Sequence, residues 1–184
     1  MKNRITIKRP KLLLHICCAP DSTHVAHVLD EEYEITGYFY NPNIYPEEEY
    51  ELRWGDLQKI AEEFNFNLLN PPYDPDIWFS LTKGLENEPE GGKRCERCFL
   101  MRLEKTAKIA KEKGYDIFTT TLTISPHKNA NLINSLGRSL SEKYKADFLA
   151  ADFKKQDGFK KSIELSKRYN LYRQNYCGCL YSKR

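Results

Sequence analysis

Lys11-Leu12-Leu13-Leu14-His15-Ile16-Cys17-Cys18-Ala19-Pro20-Asp21-Ser22 carries an apolar run of strand length directly into two adjacent thiols, a proline and a carboxylate. Leu12 to Ile16 reads as a buried strand and Ser22 to Leu29 as the helix after the turn, with Asp21 or Ser22 at its N-cap. A strand that passes at once into a helix opens a βαβ unit. Neighbouring cysteines do not readily pair with each other, because an ordinary disulfide needs Cα atoms further apart than one peptide unit comfortably allows. Cys17 and Cys18 therefore read as metal ligands or redox groups at a strand end.

Outward from this stretch the alternation continues. Glu34 to Tyr40 is a second strand, rich in β-branched and aromatic residues, that stops at Asn41-Pro42-Asn43. Pro46 opens an acidic helix reaching about Phe64, and Phe66 to Leu69 forms a short third strand. A short helix over Ile77 to Leu85 leads to a long one over Cys95 to Lys113, which Gly114 stops. Tyr115 to Thr123 is the fourth strand, Ile124 to Asn129 the turn into a helix reaching about Tyr144, and Asp147 to Ala151 the fifth strand. A last helix runs from Asp157 or Gly158 to about Tyr169. Right-handed crossovers then give one doubly wound α/β domain over 1–184 with a five-stranded, mostly parallel sheet. With strand order 3-2-1-4-5 the reversal falls between the first and fourth strands, where such sheets bind ligands at their carboxyl ends. Cys17, Cys18, Asp21 and the turn from Thr121 to Lys128 share that crevice.

At 184 residues the chain can bury a sizeable core without disulfides. No apolar run approaches a membrane span, and Met1 to Pro10 lacks the hydrophobic core of a signal peptide, so a cytoplasmic protein with no membrane partner is expected. In a reducing compartment, six cysteines arranged as C-C, C-x-x-C and C-x-C point to metal binding or catalysis rather than to a disulfide framework. The net charge of +3 is unevenly spread: the segment 154–184 carries +7, which leaves −4 on the remainder. A solvated helix face accounts for Lys154, Lys155, Lys160 and Lys161 as well as an interface does. Arg168, Tyr172, Arg173 and Tyr176 tilt the reading toward nucleic acid, since guanidinium groups meet phosphates while tyrosines stack on unpaired bases.

Cys95-Glu96-Arg97-Cys98 lies at the start of a helix, where the dipole favours thiolates that can share a metal. Half a zinc site, a cluster ligand pair and a thioredoxin-like dithiol are all open for it, the last weakened because the motif does not follow the first strand. Cys177-Gly178-Cys179 can chelate a metal or close a strained, labile disulfide. Six thiolates with Asp21 exceed what one tetrahedral zinc needs; four suffice for an iron–sulfur cluster, leaving two and a carboxylate for a second metal or a redox couple. His15 reads as a core histidine, and His24 and His27 as helix-surface groups. His127 and Lys128 occupy a turn where substrate contacts belong. For Asn41 and Asn43, a simple turn and a substrate role both stand.

The combination of Cys17-Cys18-Ala19-Pro20-Asp21-Ser22, Phe39-Tyr40-Asn41-Pro42-Asn43-Ile44, Arg94-Cys95-Glu96-Arg97-Cys98-Phe99, Thr121 to Asn129 and Tyr172 to Cys179 resembles the cobalamin-independent epoxyqueuosine reductase family, QueH. The resemblance extends from about Lys11 to Ser182. It implies reduction of epoxyqueuosine to queuosine at the wobble position of tRNA, with a 4Fe-4S cluster, an external low-potential electron donor and no cobalamin. By motif, Cys17, Cys18, Cys95 and Cys98 would ligate the cluster and Cys177 and Cys179 would form a redox-active pair. The family is similar in fold to the adenine-nucleotide α-hydrolase-like superfamily. In those ATP-using relatives a glycine-rich phosphate loop follows the first strand; Cys17-Cys18-Ala19-Pro20 stands there instead, which argues against ATP.

Two chemical schemes follow for the epoxide. In one, an additional mononuclear iron near Cys177, Cys179 and Asp21 acts as a Lewis acid while the cluster delivers electrons. In the other, Cys177 and Cys179 donate the electrons as a dithiol. The rival function classes are a zinc-stabilised tRNA-binding module, which would be colourless and iron-free, and an ATP-dependent tRNA-modifying enzyme, which would need the missing phosphate loop.

Overall fold

The computed structural model describes residues 8–183; Met1 to Ile7 of the basic leader and Arg184 of the basic tail lie outside the described residues. Five parallel strands form one sheet: β1 (Lys11–His15), β2 (Glu34–Tyr38), β3 (Asn67–Leu69), β4 (Ile117–Thr120) and β5 (Asp147–Phe148). Their order is β3-β2-β1-β4-β5, so the reversal falls between β1 and β4 as expected. The register sets His15 opposite Tyr38 on one side and Thr120 on the other.

Along β1 the side chains alternate between two cores, as the period of two in a strand requires. Leu12, Leu14 and Ile16 pack with Val25, Leu57, Ile60 and Leu171, beneath α1 (Ala19–Leu29), α2 (Glu47–Glu63) and α6 (Gly158–Arg168). Leu13 and Cys17 pack with Leu103, Phe118, Leu122 and Ile133, beneath α4 (Lys93–Lys113) and α5 (Ala130–Tyr144). Leu12, Leu13 and Leu14 are fully buried, and each such side chain contributes roughly 1.5–3 kcal/mol in area removed from water. A strand covered on both faces is why the run Leu12–Ile16 is continuously apolar rather than alternating.

Element ends depart from the sequence reading for local reasons. The first helix starts at Ala19 with Cys18 at its N-cap, because Pro20 suits a first helical turn; Asp21 lies inside that turn instead of capping it. The fourth strand stops at Thr120, whose hydroxyl accepts from the Leu122 backbone N–H and turns Thr121–Ile124 into a short 3-10 helix. The fifth strand keeps two residues, and the helix α3 spans Pro75–Thr82. Gly114 ends α4 at φ 70, the left-handed conformation that glycine adopts without cost. His24 is buried, not surface-exposed: α6 packs across α1 and covers it, whereas His27 is exposed.

Candidate metal centre and active site

The carboxyl end of β1 hands the chain to Cys17 at the switch point. Cys17 N–H donates to Thr121 Oγ1 at 3.3 Å, which ties the end of β1 to the turn after β4. Cys17 Sγ lies 3.2 Å from Asp21 Oδ2 and 3.3 Å from Thr121 Oγ1. The two residues are four apart, so the first helical turn brings carboxylate and thiol together. The ligand atoms of Cys17, Cys18 and Asp21 all lie within 4.8 Å of one another, a spacing that one metal ion can bridge.

Above this trio opens a cavity of about 380 Å³, within the usual range for a small-ligand site. Cys17, Cys95, Cys98, Cys177 and Cys179 all line it, together with Asp21 and Lys128. Cys18, 1% exposed, lies beneath its wall. All six cysteines are free thiols. Cys95 and Cys98 occupy the first two turns of α4, where the Gly91 N–H donates to Cys95 Sγ at 3.3 Å. Cys98 and Cys179 share a small apolar cluster with Trp78.

The cavity is a cationic place for thiols. A hydrogen bond from Cys18 pulls the Cys17 thiol well below its ordinary range, with help from Lys128, Thr121 and Arg102. Cys177 is lowered in the same way by Cys179, then by Ser182 and Lys128. In each pair one sulfur is thus acidic and its partner is pushed up, Cys18 and Cys179 being the raised members. Cys98 is raised by burial. The Asp21 carboxyl is pushed up to about 8, chiefly by burial and then by the charge of Cys17. Burial pulls Lys128 down, but Cys17, Asp21 and Cys177 outweigh it and hold the ammonium above its ordinary value. His15, fully buried between Thr120 Oγ1 and Tyr40 O, falls to about 3 through burial and Arg102 and stays neutral.

Arg102 and Arg53, which sequence reasoning passed over, hold this arrangement together with Arg94 of the C-x-x-C segment. Arg102, 4% exposed, donates to Asn41 Oδ1 at 3.2 Å and to the Cys98 carbonyl at 3.4 Å, yet has no carboxylate within ion-pair distance among the described residues. Arg53, 2% exposed, pairs with Glu49 at 2.7 Å and reaches the carbonyls of Cys177 and Tyr176. Arg94 Nη1 sits against the carbonyls of Leu85, Glu86 and Glu88 and pins the loop before α4. The available signal was a charge on the inward stripe of a helix: Arg102 follows Cys98 by four and precedes Thr106 by four.

The other residues singled out from sequence are spread over the site and its surroundings. Asn43, His127, Arg173 and Tyr176 line the cavity. Asn41 turns inward and donates to Ile16 O at 2.8 Å. Arg168 and Tyr172 are exposed and lie outside the cavity wall, Tyr172 being held by its N–H to Asp56 Oδ2 at 2.6 Å. Among the described residues no helix is long and apolar enough to cross a membrane.

Residues 12–184 match the family model for epoxyqueuosine reductase QueH. The chain is 44% identical over 180 residues to a protein of that name from Streptococcus pyogenes, covering 95% of this chain and 71% of that one. It is 41% identical over 175 residues to the Thermotoga maritima protein of the same name, covering 93% and 89%. Among solved structures, the U34-tRNA thiolase NcsA from Methanococcus maripaludis with its 4Fe-4S cluster is similar at a TM-score of 0.59 and 13% identity, over 99% of this chain and 63% of that one. A predicted subunit of tRNA methyltransferase from Methanocaldococcus jannaschii is similar at 0.56 and 15% identity, over 85% and 76%. At such identities the structural likeness speaks for the fold, whereas the sequence match decides kinship: the chain belongs to the epoxyqueuosine reductase QueH family.

Proposed function

We propose that this protein reduces epoxyqueuosine to queuosine at the wobble position of tRNA, with a 4Fe-4S cluster held by Cys17, Cys18, Cys95 and Cys98. The observation that carries the reading is the convergence of five free thiols on one cavity at the switch point of the sheet, with the sixth just beneath it. The donor set suits such a group: soft sulfur ligands come from two segments. The buried Arg102 and the half-buried Lys128, without carboxylate partners in ion-pair range among the described residues, offset the negative charge of several thiolates. When bound, the cluster supplies one-electron relay from an external low-potential donor.

Removing the epoxide oxygen consumes two electrons and two protons and yields a carbon–carbon double bond and water. The protein's own residues bring the substrate in and handle those protons. A flipped base enters the cavity, with Tyr176 on its wall and Tyr172 beside it as stacking surfaces. Arg168 and Arg173 meet the neighbouring phosphates. Asp21 and Lys128 face the volume shared by Cys17 and Cys177 and are the nearest proton carriers to a bound epoxide.

The test is turnover. Anaerobically purified, iron-loaded protein with dithionite should convert epoxyqueuosine in tRNA to a nucleoside one oxygen lighter by mass spectrometry. Iron-loaded protein that leaves the nucleoside intact would sink the proposal. The same preparation separates the two schemes for Cys177 and Cys179. Iron beyond that of one four-iron cluster supports a second metal, and iron equal to one cluster leaves the pair as the dithiol.

A further inference from the structure

Trp78 is one of two tryptophans in the chain and is 1% exposed. It points from α3 into the apolar cluster whose other buried members are Cys98 and Cys179. Its ring is fixed on both sides, by Phe79 at 5.2 Å and Tyr181 at 5.6 Å between centroids. One further tie holds α3 in place: Arg97 of α4 donates to Leu81 O at 3.1 Å. The indole nitrogen Nε1 is nevertheless buried without a well-formed hydrogen bond, and the Cys98 sulfur is the acceptor beside it.

An indole N–H is a donor only, and a buried donor left unpaired is destabilising. Phenylalanine would fill an apolar site among sulfurs without that cost. A neutral thiol is a weak acceptor, but a thiolate is a strong one, so the donor becomes satisfied when the sulfur beside it loses its proton to a metal. Burial holds the Cys98 thiol above its ordinary range, and the indole is one of the groups that work against that.

We propose that the Trp78 N–H is reserved for the Cys98 thiolate and raises the reduction potential of the cluster which that thiolate would hold. A hydrogen bond to a ligating sulfur withdraws electron density and stabilises the more electron-rich, reduced state. Trp78 is therefore a positioning residue acting through Cys98. The inference rests on the reading of Cys98 as a cluster ligand.

The experiment is a dithionite redox titration of the reconstituted full chain, followed by electron paramagnetic resonance. Trp78→Phe should keep its iron and lower the reduced-to-oxidised ratio at a fixed potential about tenfold, equivalent to about 59 mV for a one-electron couple. Trp54→Phe should titrate like the wild type. Full iron with an unmoved potential in Trp78→Phe overturns the proposal. Should that variant misfold, global replacement of tryptophan by benzothienylalanine removes the N–H at nearly unchanged shape, and the same titration decides. Loss of the cluster from that protein would mean that the donor serves loading, which overturns the claim on potential. Cys98→Ala separates the two readings: full iron in it refutes the ligand assignment, while lost iron beside an unmoved Trp78→Phe potential refutes this inference alone.

Discussion

Arg53, in the middle of α2, donates from Nη1 to the Cys177 carbonyl at 3.1 Å and from Nη2 to the Tyr176 carbonyl at 3.3 Å. With Asp56 on the Tyr172 N–H and Glu49 beneath the guanidinium, one buried polar face of α2 clasps the C-terminal arm. Arg53→Lys keeps the charge but loses the planar fork. In the reduced, metal-free protein the variant should expose Cys177 and Cys179 to a thiol reagent about tenfold faster, as one lost charged hydrogen bond implies. Equal labelling rates in variant and wild type would deny the clasp.

Arg102 is buried among thiols with no carboxylate in reach among the described residues, an arrangement that costs free energy until anionic ligands form beside it. Arg102→Met should therefore leave the unfolding free energy of the metal-free protein within about 1 kcal/mol of wild type. Its iron per chain after reconstitution should fall to less than half. A variant that unfolds readily yet loads fully would reverse this account.

Asp21 is placed by the first turn of α1 against Cys17, inside the cavity but away from its rim. Asp21→Asn keeps the shape and removes the ionisable group. Turnover should drop by about a hundredfold, in the range for loss of a proton-handling group, while tRNA binding moves by less than about threefold. Unchanged turnover would remove Asp21 from the mechanism.

Basic residues of the arm should act through phosphate rather than through the base. Arg168→Ala and Arg173→Ala should each flatten the plot of log affinity against log salt by about one unit, evenly across tRNA species. A slope identical to wild type in a filter-binding titration would show that neither meets a phosphate.

Tyr73 donates to Ile44 O at 2.6 Å and its ring lies tilted against Tyr50, with centroids 4.4 Å apart. Burial, then Glu47, raises its phenol to about 12 from the ordinary 10.0. The unfolded chain therefore ionises first, and the stability that this phenol contributes is complete below about pH 10 and lost as pH rises toward 12. Tyr73→Phe should narrow the loss in urea midpoint between about pH 9 and about pH 11.5. An unchanged alkaline profile would show that Tyr73 does not govern it.

Periodicity and turn chemistry were enough for the alternation of strands and helices, with Leu12–Ile16 of strand length and Gly114 as a stop, and the strand order that such alternation usually takes then placed the crevice. Strand ends were less readable, since Thr120 uses its side chain to end β4 and nothing in a β-branched run announces that. The cysteine spacing marked the donors. What escaped was the support beneath them: Arg53, Arg102 and Trp78 gain meaning only when distant segments are packed together, and a charged or aromatic residue on a helix reads as ordinary surface or core until its neighbours are known.

The arm that carries Cys177 and Cys179 also closes the site from beyond the end of the sheet. The sheet is complete at Phe148, and Cys17, Cys18, Cys95 and Cys98 all precede that residue. In chain order, two of the thiol pairs and the sheet edge that carries them therefore come before the third pair. Gly178, at φ 105 with Arg53 Nη1 only 2.8 Å from where a Cβ would stand, then fits the closing segment under the guanidinium as no larger residue can. The segment beyond the sheet is thus the seal on the site, and without it the cavity would be an open cup of four thiols.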